Sequence, residues 1–286
     1  MFTKIAVTVD ATNANGNQLL VPTGITTPYQ MPDCFAVQGG TTELIFETST
    51  GQAAALIKPT DEQVVVHYQA SDRAGAYPEA LFQHRPNRFT RAADELVKDA
   101  RRIADEAVDG HGAIQAIARD TAARFTYGHP EKRYYEGFDE IPHLGCGIAE
   151  GSCVDINAYL IAALRAAGFE AGYVYGYFFP EEKGGNAKDG HCWVVTRHEG
   201  VTLEWDIAHH LKIGTRDVCC GLNPKPGHRV GLAHSMGHSF PALGIRDMKL
   251  LGEALWVDGK GDYDFADIAI FAERGDAAVA ASPKAA

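Results

Sequence analysis

The sequence predicts an α+β protein in which a cysteine-bearing helix packs on an antiparallel sheet behind a β-rich N-terminal region. Three observations carry that prediction. Residues 1 to 85 hold short alternating or apolar runs separated by turn residues, the pattern of strands. Near Pro86 the period changes to the 3–4 spacing of helices. Beyond Gly168 strand-like runs return, close enough together to pair through short loops. The expected division is a β-rich region over 1–85, a mixed helix-and-sheet domain over 86–275, and a flexible Ala-rich tail over 276–286.

In the first region Ile5, Val7 and Val9 alternate with smaller residues, and 43–48 and 64–68 are further strand candidates. Thr90 is placed to cap a helix whose buried face is Ala93, Leu96, Val97, Ala100, Ile103, Ala104 and Ala107, with Gly110 as its stop. Ile114, Ile117, Thr121 and Phe125 mark a second helix. The stretch 128–151, rich in Tyr, Gly, Pro and charge, is expected to be a loop over the next helix. That third helix runs from Cys153 to Ala167 on the stripe Ile156, Leu160, Ala163, Leu164, with Gly168 ending it. Strands are expected at 170–178, 191–197 and 201–207. Residues 211–248 have no clear period, and 249–257 and 265–272 read as a closing strand or helix.

Bulk properties narrow the function. The chain has 286 residues, 45% hydrophobic and 22% charged, which suits a soluble globular protein. A net charge of −11 repels phosphate-bearing surfaces, so neither nucleic acid nor a membrane is expected as partner. No apolar run approaches the ~20 residues of a membrane span, and the start of the chain does not read as a signal peptide. A cytoplasmic location follows as the expectation. The six cysteines are irregularly spaced in a chain large enough to build its own core, so a disulfide scaffold is not expected.

The chemistry centres on Gly151-Ser152-Cys153-Val154-Asp155, where a small-residue turn runs into a helix. A thiol at a helix start meets the positive end of the dipole and unpartnered N–H groups. Both favour thiolate, and the same N–H groups can bind an oxyanion. Downstream lie His191, in His191-Cys192-Trp193-Val194, and Asp206, in Leu203-Glu204-Trp205-Asp206. On a strand His191, Trp193 and Val195 share one face and Cys192 the other. A loop at 198–199 or 197–200 sets Asp206 directly opposite His191; a loop at 199–200 sets it opposite Trp193, diagonal to His191 on the same face. Cys153 as nucleophile, His191 as base and acid, and Asp206 as orienting carboxylate make a coherent thiol enzyme.

These residues resemble the transglutaminase-like superfamily. The resemblance rests on 151–155, the helix through Leu164-Arg165-Ala166-Ala167-Gly168-Phe169, the run 171–177, and the blocks at His191 and Trp205-Asp206, over about residues 90–210. It implies a papain-like core, the same three catalytic roles, a structural role for Asp155, and a catalytic domain over 86–275. No cofactor and no metal are implied. Acyl transfer on an amide or peptide carbonyl follows, with hydrolysis expected over amine cross-linking and a peptide or small amide as substrate. One departure is the exit Ile207-Ala208-His209-His210 after Asp206; another is that 128–151 offers no evident side-chain oxyanion donor.

Other constellations compete. Cys146 is a rival nucleophile or a resolving thiol, and Cys192, facing away from His191, is expected in the core. Tyr173, Tyr175 and Tyr177 share a strand face, either packing or flooring a cleft. Cys219, Cys220, His228, His234 and His238, with His209 and His210, could form a metal-binding protein over 209–238, though no spacing matches a standard zinc site. The same fold could also serve as a non-catalytic peptide-binding module.

Overall fold

The alternating run Phe2–Asp10 is a strand that buries Ile5, Val7 and Val9 on one face. In the computed structural model, which describes residues 1–275 except Cys146 and Leu222, it lies between Gln63–Ser71 and Ile268–Gly275, antiparallel to both. The expected tail 276–286 and the Cys146 thiol thus lie outside the described residues. Met31–Gln38 and the short Asn186–Ala187 complete a five-stranded sheet. A second five-stranded sheet orders Tyr263–Phe265, Leu255–Val257, Gln18–Pro22, Ala53–Pro59 and Gly40–Phe46. The two share one apolar core, with Ile5, Val7 and Val66 from the first and Leu19, Val21 and Ile57 from the second.

The C-terminal strands return to the N-terminal sheets. Residues 255–257, 263–265 and 268–275 pair inside the two N-terminal sheets rather than with the sheet behind the cysteine helix. Strand pairing needs a partner edge, and the chain supplies it from its far end.

Three helices follow the first sheets: α1 (Asp94–Asp105), α2 (Gly110–Ala123) and α3 (Cys153–Ala166). Two expected signals act elsewhere. Thr90 is buried in the preceding turn, where its hydroxyl accepts from Arg165, and α1 starts from Ala93 without a side-chain cap. Gly110 opens α2 instead of ending α1, because Asp109 caps it by accepting from the N–H of Gly112 at 2.7 Å. Helix α3 is buried nearly all round, so it sits between α1, α2 and a four-stranded antiparallel sheet.

That sheet orders Val201–Trp205, His191–His198, Glu170–Pro180 and Gly227–His234. The last strand lies in the region where the sequence has no period. The hairpin turns at Glu199-Gly200, with φ of 49° and 77°, as a tight two-residue turn that follows strand twist requires. Val194 pairs with Trp205, so Asp206 falls opposite Trp193, diagonal to His191. Tyr173 and Tyr175 join the core around α3, and further along the same strand Tyr177 and Phe179, with Val230 and Leu232, join the core of the N-terminal sheets. Among the described residues no helix is long and apolar enough to cross a membrane.

Candidate active site

Cys153 is the first residue of α3, 8% exposed. The start is fixed by Asp155, whose Oδ2 accepts from the N–H and the Oγ of Ser152 at 2.9 and 2.7 Å. Its Oδ1 accepts from Arg133 at 2.6 Å and from the Tyr135 hydroxyl at 2.7 Å, and Tyr134 donates to its backbone oxygen. The segment 128–151 therefore does pack over the helix start, and Asp155 holds the turn that carries the thiol.

His191 begins its strand and is buried. Its Nε2 lies 2.9 Å from Asp206 Oδ2, which leaves Nδ1 as the ring nitrogen not engaged by that carboxylate. Asp206, fully buried, ends the expected strand early: the strand stops at Trp205, and Asp206 caps the short α4 (Ile207–Lys212), accepting from the N–H of His209 at 3.0 Å. The unusual exit after Asp206 is thus a helix, and it brings His209 onto His191. The two rings stack at 4.0 Å, and His209 Nδ1 is 3.0 Å from Asp206 Oδ2. The same oxygen is paired with the buried guanidinium of Arg229, which lies over the Trp193 ring at 4.9 Å.

Burial and neighbours set the charges. The Cys153 thiol is held well below its usual range, first by a hydrogen bond from Cys192, then by the hydrogen bond and charge of His191 and the charge of Lys212, against its own desolvation. The partner thiol Cys192 is pushed well up by burial. His191 is drawn down by desolvation, with Cys153 opposing. Desolvation, then the charge of His191, pushes His209 down to about 2, so it stays neutral. Sequence reasoning placed Cys192 in the core only. It is indeed fully buried, with Asn157 donating to its sulfur at 3.3 Å, but its thiol also meets Cys153. Arg229 and Lys212 were missed, and His209 was read only as part of an unusual exit and as a metal candidate; the one sequence signal for its place here is its position three after a helix-capping aspartate.

A cleft of about 410 Å³ opens on Cys153, bordered by Tyr175, Lys249, Glu253 and Phe265. Of the three tyrosines, Tyr175 reaches this cleft, Tyr173 packs beside Cys192, and Tyr177 sits in the core of the N-terminal sheets. The candidate donors of the 209–238 metal reading lie in several separate places. Cys219 lies 3.9 Å from His210, His228 stacks on Phe179, and His234 and His238 are buried near Glu47. Among the described residues, the one group of donors close enough to share an ion is His191, Asp206 and His209. Arg229 already occupies the carboxylate oxygen that a cation would need.

Residues 96–205 match the model of the Transglutaminase-like superfamily. No curated protein matches the sequence. Among solved structures, a candidate cysteine protease from Cytophaga hutchinsonii is similar over 96% of this chain and 98% of that one, at 13% identity and a TM-score of 0.51, a likeness of fold. The periplasmic domain of TgpA from Pseudomonas aeruginosa is similar over 74% of this chain and 90% of that one, at 13% identity and a TM-score of 0.41. The fold is the expected α+β one, a cysteine helix on an antiparallel sheet, and residues 96–205 are similar to the transglutaminase-like superfamily.

Proposed function

We propose that the protein is a cysteine acyltransferase that opens amide or peptide carbonyls through a thioester on Cys153 and passes the acyl group to water. The observation that carries this reading is His191, with one ring nitrogen on the buried Asp206, together with a buried thiol at the start of α3. In the forward step the Cys153 sulfur bonds to the carbonyl carbon. The oxyanion is received by backbone N–H groups of the first turn of α3. The C–N bond then breaks, and the imidazole delivers its proton to the departing amine. Water next attacks the thioester as His191 takes its proton, the C–S bond breaks, and the acid leaves. Asp206 keeps the imidazole in one tautomer and supports its charged form.

Hydrolysis is favoured over cross-linking because charged residues (Arg133, Asp189, Lys249, Glu253) border the cleft and keep water at the thioester. A peptide or small amide is the substrate, and a cytoplasmic setting belongs to the same reading. A library of peptide amides, with mass detection of the Cys153 adduct and of released acid with and without added amine, tests it. Thioester formation followed by free acid is the expected result. Dominant amine adducts would make the protein a cross-linker, and a Cys153 that resists all donors and alkylation would make it an idle binding module.

A further inference from the structure

The cleft is not electrically uniform. Its lining holds two cations near Asp155, Arg133 and Lys249, and two carboxylates, Asp189 and Glu253, the latter accepting from the N–H of Gly190 at 2.7 Å. The cation pair exceeds what Asp155 needs. Both Asp155 oxygens are filled by Ser152, Tyr135 and Arg133, and Lys249 Nζ remains 3.9 Å away, too far for a hydrogen bond. Lys249 donates to the Tyr135 hydroxyl, which leaves it spare donors beside the cleft. Its side chain is only 20% exposed, so its charge is poorly screened.

The same two residues also wall a second hollow of about 330 Å³. There Arg88 joins them, with Glu136 the single carboxylate and Phe89 and Phe138 the apolar floor. Arg88 is the outermost, 3.4 Å from Asp247 in an exposed pair. A run of positive charge thus leads away from Cys153 on a chain whose net charge is −11. The surface as a whole repels anions; this strip attracts them.

We infer that Arg133 and Lys249 hold a carboxylate of the acyl donor, so that the favoured substrates are anionic: peptides with an acidic side chain, or with a free C-terminal carboxylate, close to the scissile amide. This rests on Cys153 being the nucleophile. Asp189 and Glu253, in the same lining, repel that group and so bias it toward the two cations. A guanidinium and an ammonium on either side of a carboxylate supply charge-assisted bonds of the stronger kind.

The test uses the full chain and two reagents of like size, iodoacetate and iodoacetamide, with Cys153 followed by peptide mass. In the native protein the rate ratio of iodoacetate to iodoacetamide should exceed that of N-acetylcysteine by about fivefold, the size of a partly screened charge–charge effect. Lys249→Gln should lower the ratio several-fold. Arg133→Gln should do so too, and Arg133→Lys, which keeps the charge and the Asp155 contact, should restore it. In a second arm, matched peptides with a neutral end, an acidic side chain or a free C-terminal carboxylate compete for thioester formation. Whichever acid wins identifies the source of the carboxylate, and Lys249→Gln should cut its advantage about tenfold. Labelling of Cys153 with a ratio equal to that of the small thiol and unmoved by Lys249→Gln would overturn the inference alone. A Cys153 that neither reagent labels would remove the nucleophile reading and this inference with it.

Discussion

The imidazole of His209 lies flat on that of His191, centroids 4.0 Å apart and planes 7° from parallel, while Asp206 bonds into both residues. The stack fixes the plane of the ring that faces the thiol. Because His209 is kept neutral, it does this without opposing a proton on His191. His209→Phe should therefore keep turnover within about tenfold, since a flat ring remains, whereas His209→Ala should lower kcat more than it raises KM. Steady-state kinetics on both variants checks the order; equal losses would count against ring positioning.

Asp206→Asn should cost on the order of 10²–10⁴ in rate, by the logic of other triads. It should also destabilise, because the buried Arg229 loses its counter-charge, at about 3–5 kcal/mol. The double variant Asp206→Asn with Arg229→Met separates the two effects: the thermal midpoint should recover while the rate does not.

Cys153→Ala should abolish turnover and cost about 1 kcal/mol, since the sulfur is packed rather than surface-facing. Cys192→Ala has a consequence that strand alternation alone does not suggest. It removes the leading hydrogen bond to the Cys153 sulfur, so the thiol should titrate higher. Alkylation of Cys153 at pH 6 should slow markedly in Cys192→Ala and in His191→Ala. Rates unchanged across pH 5–9 would show that neither residue tunes the thiol.

Acid should destabilise the fold in two separate windows. Burial pushes His234 and His238 down to about 4, so between the free-imidazole range near 6.5 and about 4 the unfolded chain binds protons that the native state does not. Stability is present above that window and lost as pH falls through it, by a few kcal/mol for the pair. Glu47 is buried too, which opposes its ionisation, but hydrogen bonds from Thr50, Ser239 and Ser49 overcome that and hold its carboxyl down to about 2. Its contribution is intact above about 4.5 and disappears below. His238→Phe should flatten the upper window in denaturant titrations at pH 7 and pH 5 and leave the lower one.

Gly176 pairs with His191 on one side and Gly231 on the other. A methyl group there would sit 1.9 Å from the Val230 carbonyl oxygen, which is backbone and cannot yield. Gly176→Ala should displace the strand that carries Arg229, lowering both the thermal midpoint and the rate. An unchanged midpoint would show that the two strands can part at no cost.

The sequence by itself determined the local features. The helix start at Cys153 is written in Ser152 and Asp155, the hairpin in Glu199-Gly200, and the strand alternation in His191-Cys192-Trp193. Each depends on residues within a few positions of one another, so spacing and turn chemistry suffice to read it. What only the tertiary structure decided is which distant residues meet. Arg229 arrives from a strand without a readable period, and His209 from a short helix hidden behind an apparent strand end. Cys192 meets Cys153 although it points away from His191, because α3 lies on the opposite sheet face. The C-terminal strands return to the N-terminal sheets for the same reason: long-range pairing is set by which buried faces and open edges remain to be covered, and no local pattern records that.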